Sequence, residues 1–83
     1  MEHLCNFKSV LAENIMNVSC NIKKYRCIKS YTQQDLAFYS ECERATISNL
    51  ERHNCDNISI KTLTKIAIAL DTTLLDLLKA PQE

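Results

Sequence analysis

TQQDLAFYSECERATISNLE, residues 32–51, reads as two short helices separated by a tight turn. Thr32 is an N-cap, because its hydroxyl can accept from the backbone of the first turn. Asp35 then lies in that first turn, where the helix dipole favours a negative charge. The spacing predicts a helix from Gln33 to about Ser40 with Leu36 and Ala37 inward. After a turn at Glu41, Cys42 and Glu43, a second helix runs from Arg44 to about Arg52 with Ile47 and Leu50 as its inward pair.

On either side of this pair the pattern stays helical. From the N-terminus to about residue 30 there is no breaker, and Leu4, Phe7, Val10 or Leu11, Ile15, Val18, Ile22 and Tyr25 recur at threes and fours. One long helix and a frayed segment followed by a helix from about Ser9 to Ile28 are both compatible with this, since Asn14, Asn17 and Asn21 are poor helix-interior residues. Downstream, His53 to Asn57 is a polar loop, and Ser59 caps a helix carrying Ile60, Leu63, Ile66, Ala67 and Leu70 on one face. Asp71-Thr-Thr73 closes that helix, and Thr73 caps a last one bearing Leu74, Leu75, Leu77 and Leu78, more apolar surface than one core-facing stripe needs.

Composition narrows the class. The 83 residues suffice for one small domain. Glycine is absent, where average usage of about 7% would give roughly six, and Pro81 is the single proline. Hairpins and phosphate-cradling loops both depend on glycine, so the expected fold is all-α, a compact domain of five helices. Cysteines stand at 5, 20, 27, 42 and 55, an odd number with no Cys-x-x-Cys pair, and the start lacks a signal-peptide pattern, which together predict a cytoplasmic protein. Cys42, His53 and Cys55 have no recognised zinc spacing, so neither a metal nor a cofactor is expected. A chain this short buries little surface alone, which makes a homodimer the expected state.

The formal charge is zero, with ten Lys and Arg against ten Asp and Glu, yet it is unevenly placed. Residues 20–30 hold Lys23, Lys24, Arg26 and Lys29 and no acid, while residues 31–42 hold Asp35 and Glu41 and no base. The basic stretch is either a solvated face or part of the field that attracts phosphates.

Two short helices joined by a three-residue turn inside a five-helix domain are the arrangement of a helix-turn-helix DNA-binding module. With Ile47 and Leu50 inward on a helical wheel, Ala45, Asn49 and Arg52 lie opposite, Ser48 lies at the flank, and Arg44 sits at the N-terminal end. Arginine can bind guanine with two hydrogen bonds, asparagine can pair with adenine, and Ala45 or the Thr46 methyl can touch a thymine methyl. Arg44, Ala45, Thr46 and Asn49 are therefore the candidate base contacts.

Ile22-Lys-Lys-Tyr-Arg26, the 32–37 and 44–51 segments, Ile60-Lys-Thr-Leu63 and Leu74-Leu-Asp-Leu-Leu78 together resemble the Cro/repressor-type (xenobiotic-response-element) helix-turn-helix family, with its lambda-repressor-like fold. Residues 31–63 look particularly similar to controller proteins of restriction–modification systems. The resemblance implies that Gln33 binds a DNA phosphate, with Gln34, Ser48, Arg52, His53 and Asn54 as further phosphate candidates. It also implies a salt bridge from Arg26 to Glu51, a packing role for Cys42, and a dimer interface through Leu74, Leu75 and Leu78. Where the family has glycine, this chain has Ser30, Glu41 and His53 or Asn54, each a non-glycine candidate for positive φ.

The domain is expected over residues 14–79, preceded by an extension or helix start over 1–13 and followed by a tail over 80–83. The expected partners are double-stranded operator DNA and a second copy of the chain, with RNA polymerase as a further candidate, and no membrane. Three functions stay open: a controller of a restriction–modification operon, a prophage-type repressor, and an antitoxin or adaptor acting through protein binding. An enzyme is not expected, since neither histidine has a nucleophile in motif context and no paired carboxylates stand out.

Overall fold

A computed structural model describes residues 2–52 and 58–80, with side chains from Glu13 onward. The described residues form five helices: α1 (Glu2–Ile28), α2 (Gln33–Ser40), α3 (Arg44–Glu51), α4 (Ile60–Ala69) and α5 (Leu74–Leu78). No described helix is long and apolar enough to cross a membrane.

The first helix runs without a break for 27 residues, about 40 Å at the usual helical rise. Of the two arrangements the sequence allows, the chain takes the single helix. Its asparagines do not interrupt it, because Asn21 is buried and finds partners on another element while Asn14 lies on the exposed side. Val18 and Ile22 on its inner face meet Leu36 and Ala37 of α2, Ile47 and Leu50 of α3, Leu63, Ile66 and Ala67 of α4, and then Leu70 and Leu77. The half-buried Cys42 packs against the same core from the turn between α2 and α3. Burying these aliphatic side chains, at about 1.5–3 kcal/mol each, is the dominant stabilisation of so small a domain.

The helix starts use hydroxyl caps. Thr32 accepts from the backbone of Asp35 at 3.0 Å, and the Asp35 carboxylate accepts from the backbone of Thr32 at 2.9 Å, a reciprocal capping box. Ser59 and Thr73 accept in the same way from Thr62 and Asp76.

The helix ends answer the missing glycines. Three described residues have positive φ: Ser30 at 59°, Glu41 at 58° and Asp71 at 58°. Each follows a helix and creates the same six-residue closure. Tyr31 N–H donates to the Arg26 carbonyl at 3.0 Å, Cys42 to Ala37 at 3.0 Å, and Thr72 to Ala67 at 2.9 Å. A left-handed non-glycine residue costs about 1–2 kcal/mol, and these closures satisfy carbonyls that would otherwise lack partners. Ser30 and Glu41 stand where the family resemblance has glycine. Asp71, where the sequence pattern marks the end of a helix, is a third such site. The positions expected after α3, His53 and Asn54, lie outside the described residues.

Candidate nucleic-acid interface

The turn of Glu41, Cys42 and Glu43 sets α3 across α2. Glu43 gives α3 its N-cap carbonyl, which accepts from Thr46 at 3.0 Å and Ile47 at 3.3 Å, without a side-chain cap. Ile47 and Leu50 are fully buried, so the helix cannot roll without exposing them. That fixes which residues look outward. Arg44, Ala45, Asn49 and Arg52 are exposed, and Thr46 and Ser48 are half-exposed at the flanks. Arg52 reaches back along the helix, its Nη2 donating to Asn49 Oδ1 at 3.3 Å. This leaves the Asn49 amide nitrogen available as a donor.

Beneath this surface an ion pair joins three helices. Arg26 of α1 donates from Nε to Glu51 Oε2 at 2.6 Å and from Nη2 to Oε1 at 3.1 Å, a two-point fork on the last residue of α3. Its third bond, from Nη1 to the Tyr31 carbonyl at 2.7 Å, ties down the chain just before α2. Gln33 then donates from Nε2 to Glu51 Oε1 at 3.1 Å. The side chains of Arg26 and Glu51 are 14% and 5% exposed, so their charges are largely removed from water and depend on each other. The bond to Glu51 raises the Arg26 pKa above its ordinary value, against the opposing effect of burial. The amide of Gln33 is thereby held at the start of α2, half-buried, with its second N–H free to face an anion. Gln34 beside it is exposed.

The remaining expected residues are less closely grouped. Lys29 is not an unattached cation: its ammonium bonds the Asp71 carboxylate, which raises its pKa, and lies 5.6 Å from the Tyr31 ring. Lys23 is exposed on α1. His53 and Asn54 lie outside the described residues, as does most of the Cys42, His53 and Cys55 set. Among the described residues no three His, Cys, Asp or Glu side chains are grouped to hold a metal, and Cys20, Cys27 and Cys42 are free thiols. At the other end of the domain Leu77 is buried and Leu74 half-buried against the core, while Leu75 is 67% and Leu78 38% exposed. Leu74 thus gives part of its surface to the domain's own core, and α5 presents chiefly Leu75 and Leu78 outward.

An outward polar helix face, clamped from behind and preceded by a helix of equal length whose first residue offers an amide, defines a helix-turn-helix domain of the DNA-binding class. The chain belongs to the Cro/C1-type helix-turn-helix DNA-binding domain family, whose sequence profile matches residues 21–83. Solved structures agree. A hypothetical transcription factor, NHTF, from Neisseria superposes with a TM-score of 0.78 at 29% identity, over 83% of this chain and 78% of that one. The N-terminal DNA-binding domain of SinR from Bacillus subtilis gives 0.73 at 32% identity, over 80% of this chain and 96% of that one. The restriction–modification controller protein C.AhdI from Aeromonas hydrophila gives 0.71 at 28% identity, over 76% and 94%. No curated protein matches the sequence.

Proposed function

We propose that this chain is a sequence-specific transcription regulator, not an enzyme, that binds a pseudo-palindromic operator as a homodimer and controls a restriction–modification operon. The observation that carries the reading is the outward face of α3: Arg44, Ala45 and Asn49 stand exposed on a helix that Ile47, Leu50 and Glu51 prevent from turning. Arg44, Ala45, Thr46 and Asn49 read base edges in the major groove, which admits a helix. Gln33, Gln34, Ser48, Arg52, His53 and Asn54 hold phosphates and fix the register. Leu74, Leu75 and Leu78 join two copies, which sets two recognition helices about 34 Å apart, one turn of DNA. Residues 14–79 form the DNA-binding unit, with 1–13 extending its first helix and 80–83 as a tail, and the protein acts in the cytoplasm. The likeness to C.AhdI supports the controller role, and the structure of SinR in complex with DNA supports the mode of binding.

The test is selection of bound sequences from random DNA, followed by salt titration on the winner. A two-fold-related motif whose affinity falls steeply with salt is the expected result. Failure to enrich any motif, without salt-dependent binding, rejects the reading in favour of an adaptor or antitoxin.

A further inference from the structure

Asn21 lies in the middle of α1, 4% exposed, among residues whose periodicity is otherwise that of a core stripe. A buried carboxamide at such a place is costly unless its donors are used. Its amide nitrogen finds its partners in α5 and in Lys79, the residue that caps that helix. Its Nδ2 donates to the carbonyls of Asp76 at 3.3 Å, Leu77 at 2.9 Å and Lys79 at 2.7 Å. Two N–H groups shared over three carbonyls hold the whole C-terminal end of α5, the end at which a helix leaves its acceptors unpaired.

The partner helix needs such a hold. With five residues, α5 is far too short to be stable by its own hydrogen bonds. Leu77 is buried and Leu74 half-buried against the core, two apolar contacts that resist lifting but carry no directional bond along the helix axis. Three bonds from one nitrogen, spread along the end of the helix, oppose both rotation and sliding. The direction in which Leu75 and Leu78 face is thus held by the packing of Leu74 and Leu77 together with the directional bonds of Asn21.

The same helix α1 also holds the other end of the DNA-binding apparatus. Arg26, five residues on, grips Glu51 at the end of α3, and five residues in a helix advance about 7.5 Å along the axis and turn about 140° around it. One rigid helix thus clamps the recognition helix at one point and the outward leucines of α5 at another.

We propose that Asn21 is a positioning residue for DNA recognition: its carboxamide fixes α5 relative to the recognition helix and so sets the half-site spacing that the dimer accepts. The proposal rests on the homodimer reading given above. It assigns Asn21 a geometric role that Arg26 does not supply, because the Arg26 bonds reach Glu51 and Tyr31 and not α5.

The experiment compares the full-length protein with its Asn21→Leu variant on the selected operator, on the same operator with its spacer lengthened or shortened in single base-pair steps, and on an isolated half-site. The wild type should prefer one spacer. For Asn21→Leu, half-site binding should stay within about twofold of wild type, while the preference for that spacer over its neighbours falls by about tenfold. Loss by one common factor on every DNA, half-site included, would mean that Asn21 only stabilises the fold and would overturn the proposal, as would an unchanged spacer preference. Should the variant not fold, hydrogen exchange on the wild type decides. Carboxamide protons of Asn21 that exchange together with the backbone amides of α5, in a step below global unfolding, support the hold; exchange at the rate of a free side chain overturns it. A wild type without any spacer preference would remove the dimer reading and the proposal together. A failure confined to Asn21 is told apart because the wild type then keeps its preference.

Discussion

Arg26 and Glu51 bear most of the energetic consequence at the scale of single residues. Both are taken largely out of water, and each is satisfied chiefly by the other. Removing one charge strands its partner, so Glu51→Gln is expected to lower stability by about 3 kcal/mol, whereas Arg26→Met together with Glu51→Leu should lose less than the single change. Urea unfolding midpoints check this, and a double variant weaker than either single one would contradict it. The pair was legible through the family resemblance, which matches an acid at Glu51 with an arginine at Arg26. The bond from Gln33 to the same carboxylate was not legible, because periodicity gives a residue's face but not its rotamer. The hold of Asn21 on α5 was not legible for a related reason. Helix propensity marks asparagine as a poor interior residue, and only the approach of α5, 55 residues further along the chain, converts that defect into a contact.

Among the elements, the caps at Thr32, Ser59 and Thr73 follow directly from hydroxyl residues placed before apolar periodicity. The helix ends were harder to read. Glycine would announce a left-handed residue; Ser30, Glu41 and Asp71 do so without it, and Asp71 is hidden because Asp-Thr-Thr equally well begins the next helix. Since Glu41 holds φ 58° in an exposed turn, Glu41→Gly should relieve the Cβ clash and raise stability by about 0.5–1 kcal/mol after the entropy cost of glycine. A lower unfolding midpoint for this variant would count against the strain argument. At α5 the Asp76 carboxylate is held below its ordinary pKa by Lys79 first, then by Thr73 and Thr72. A carboxylate with a depressed folded pKa stabilises above its unfolded value of about 4, and that stabilisation disappears as pH falls through the lower folded value. Hydrogen exchange at residues 74–78 should therefore quicken below about pH 4 in the wild type, and Asp76→Asn should remove that acid-dependent step. An identical acid profile in the two proteins would exclude Asp76 as its source.

For the molecule as a whole, the zero net charge conceals the arrangement that matters. Arg26 of the basic stretch is paired with Glu51 largely out of water and Lys29 with the exposed Asp71, while on the outward face of α3 and its end the described cations are Arg44 and Arg52. Charge counting along the sequence cannot separate structural from displayed charges, since both look alike until the helices pack. At the opposite end Leu75, 67% exposed, offers a clean test of association because its substitution does not disturb the core. The wild type should sediment as a dimer and Leu75→Asp as a folded monomer; unchanged sedimentation would place the interface elsewhere. In the proposed complex α3 reads bases while the start of α2 holds the DNA backbone. This division of labour is tested most directly by measuring wild type, Arg44→Ala and Gln33→Ala against every single base-pair variant of the selected operator. Arg44→Ala should cost about 1–3 kcal/mol on the best operator and lose discrimination at one base-pair position of each half-site, while Gln33→Ala should weaken binding to all sequences alike. Equal loss on every sequence for Arg44→Ala would contradict it.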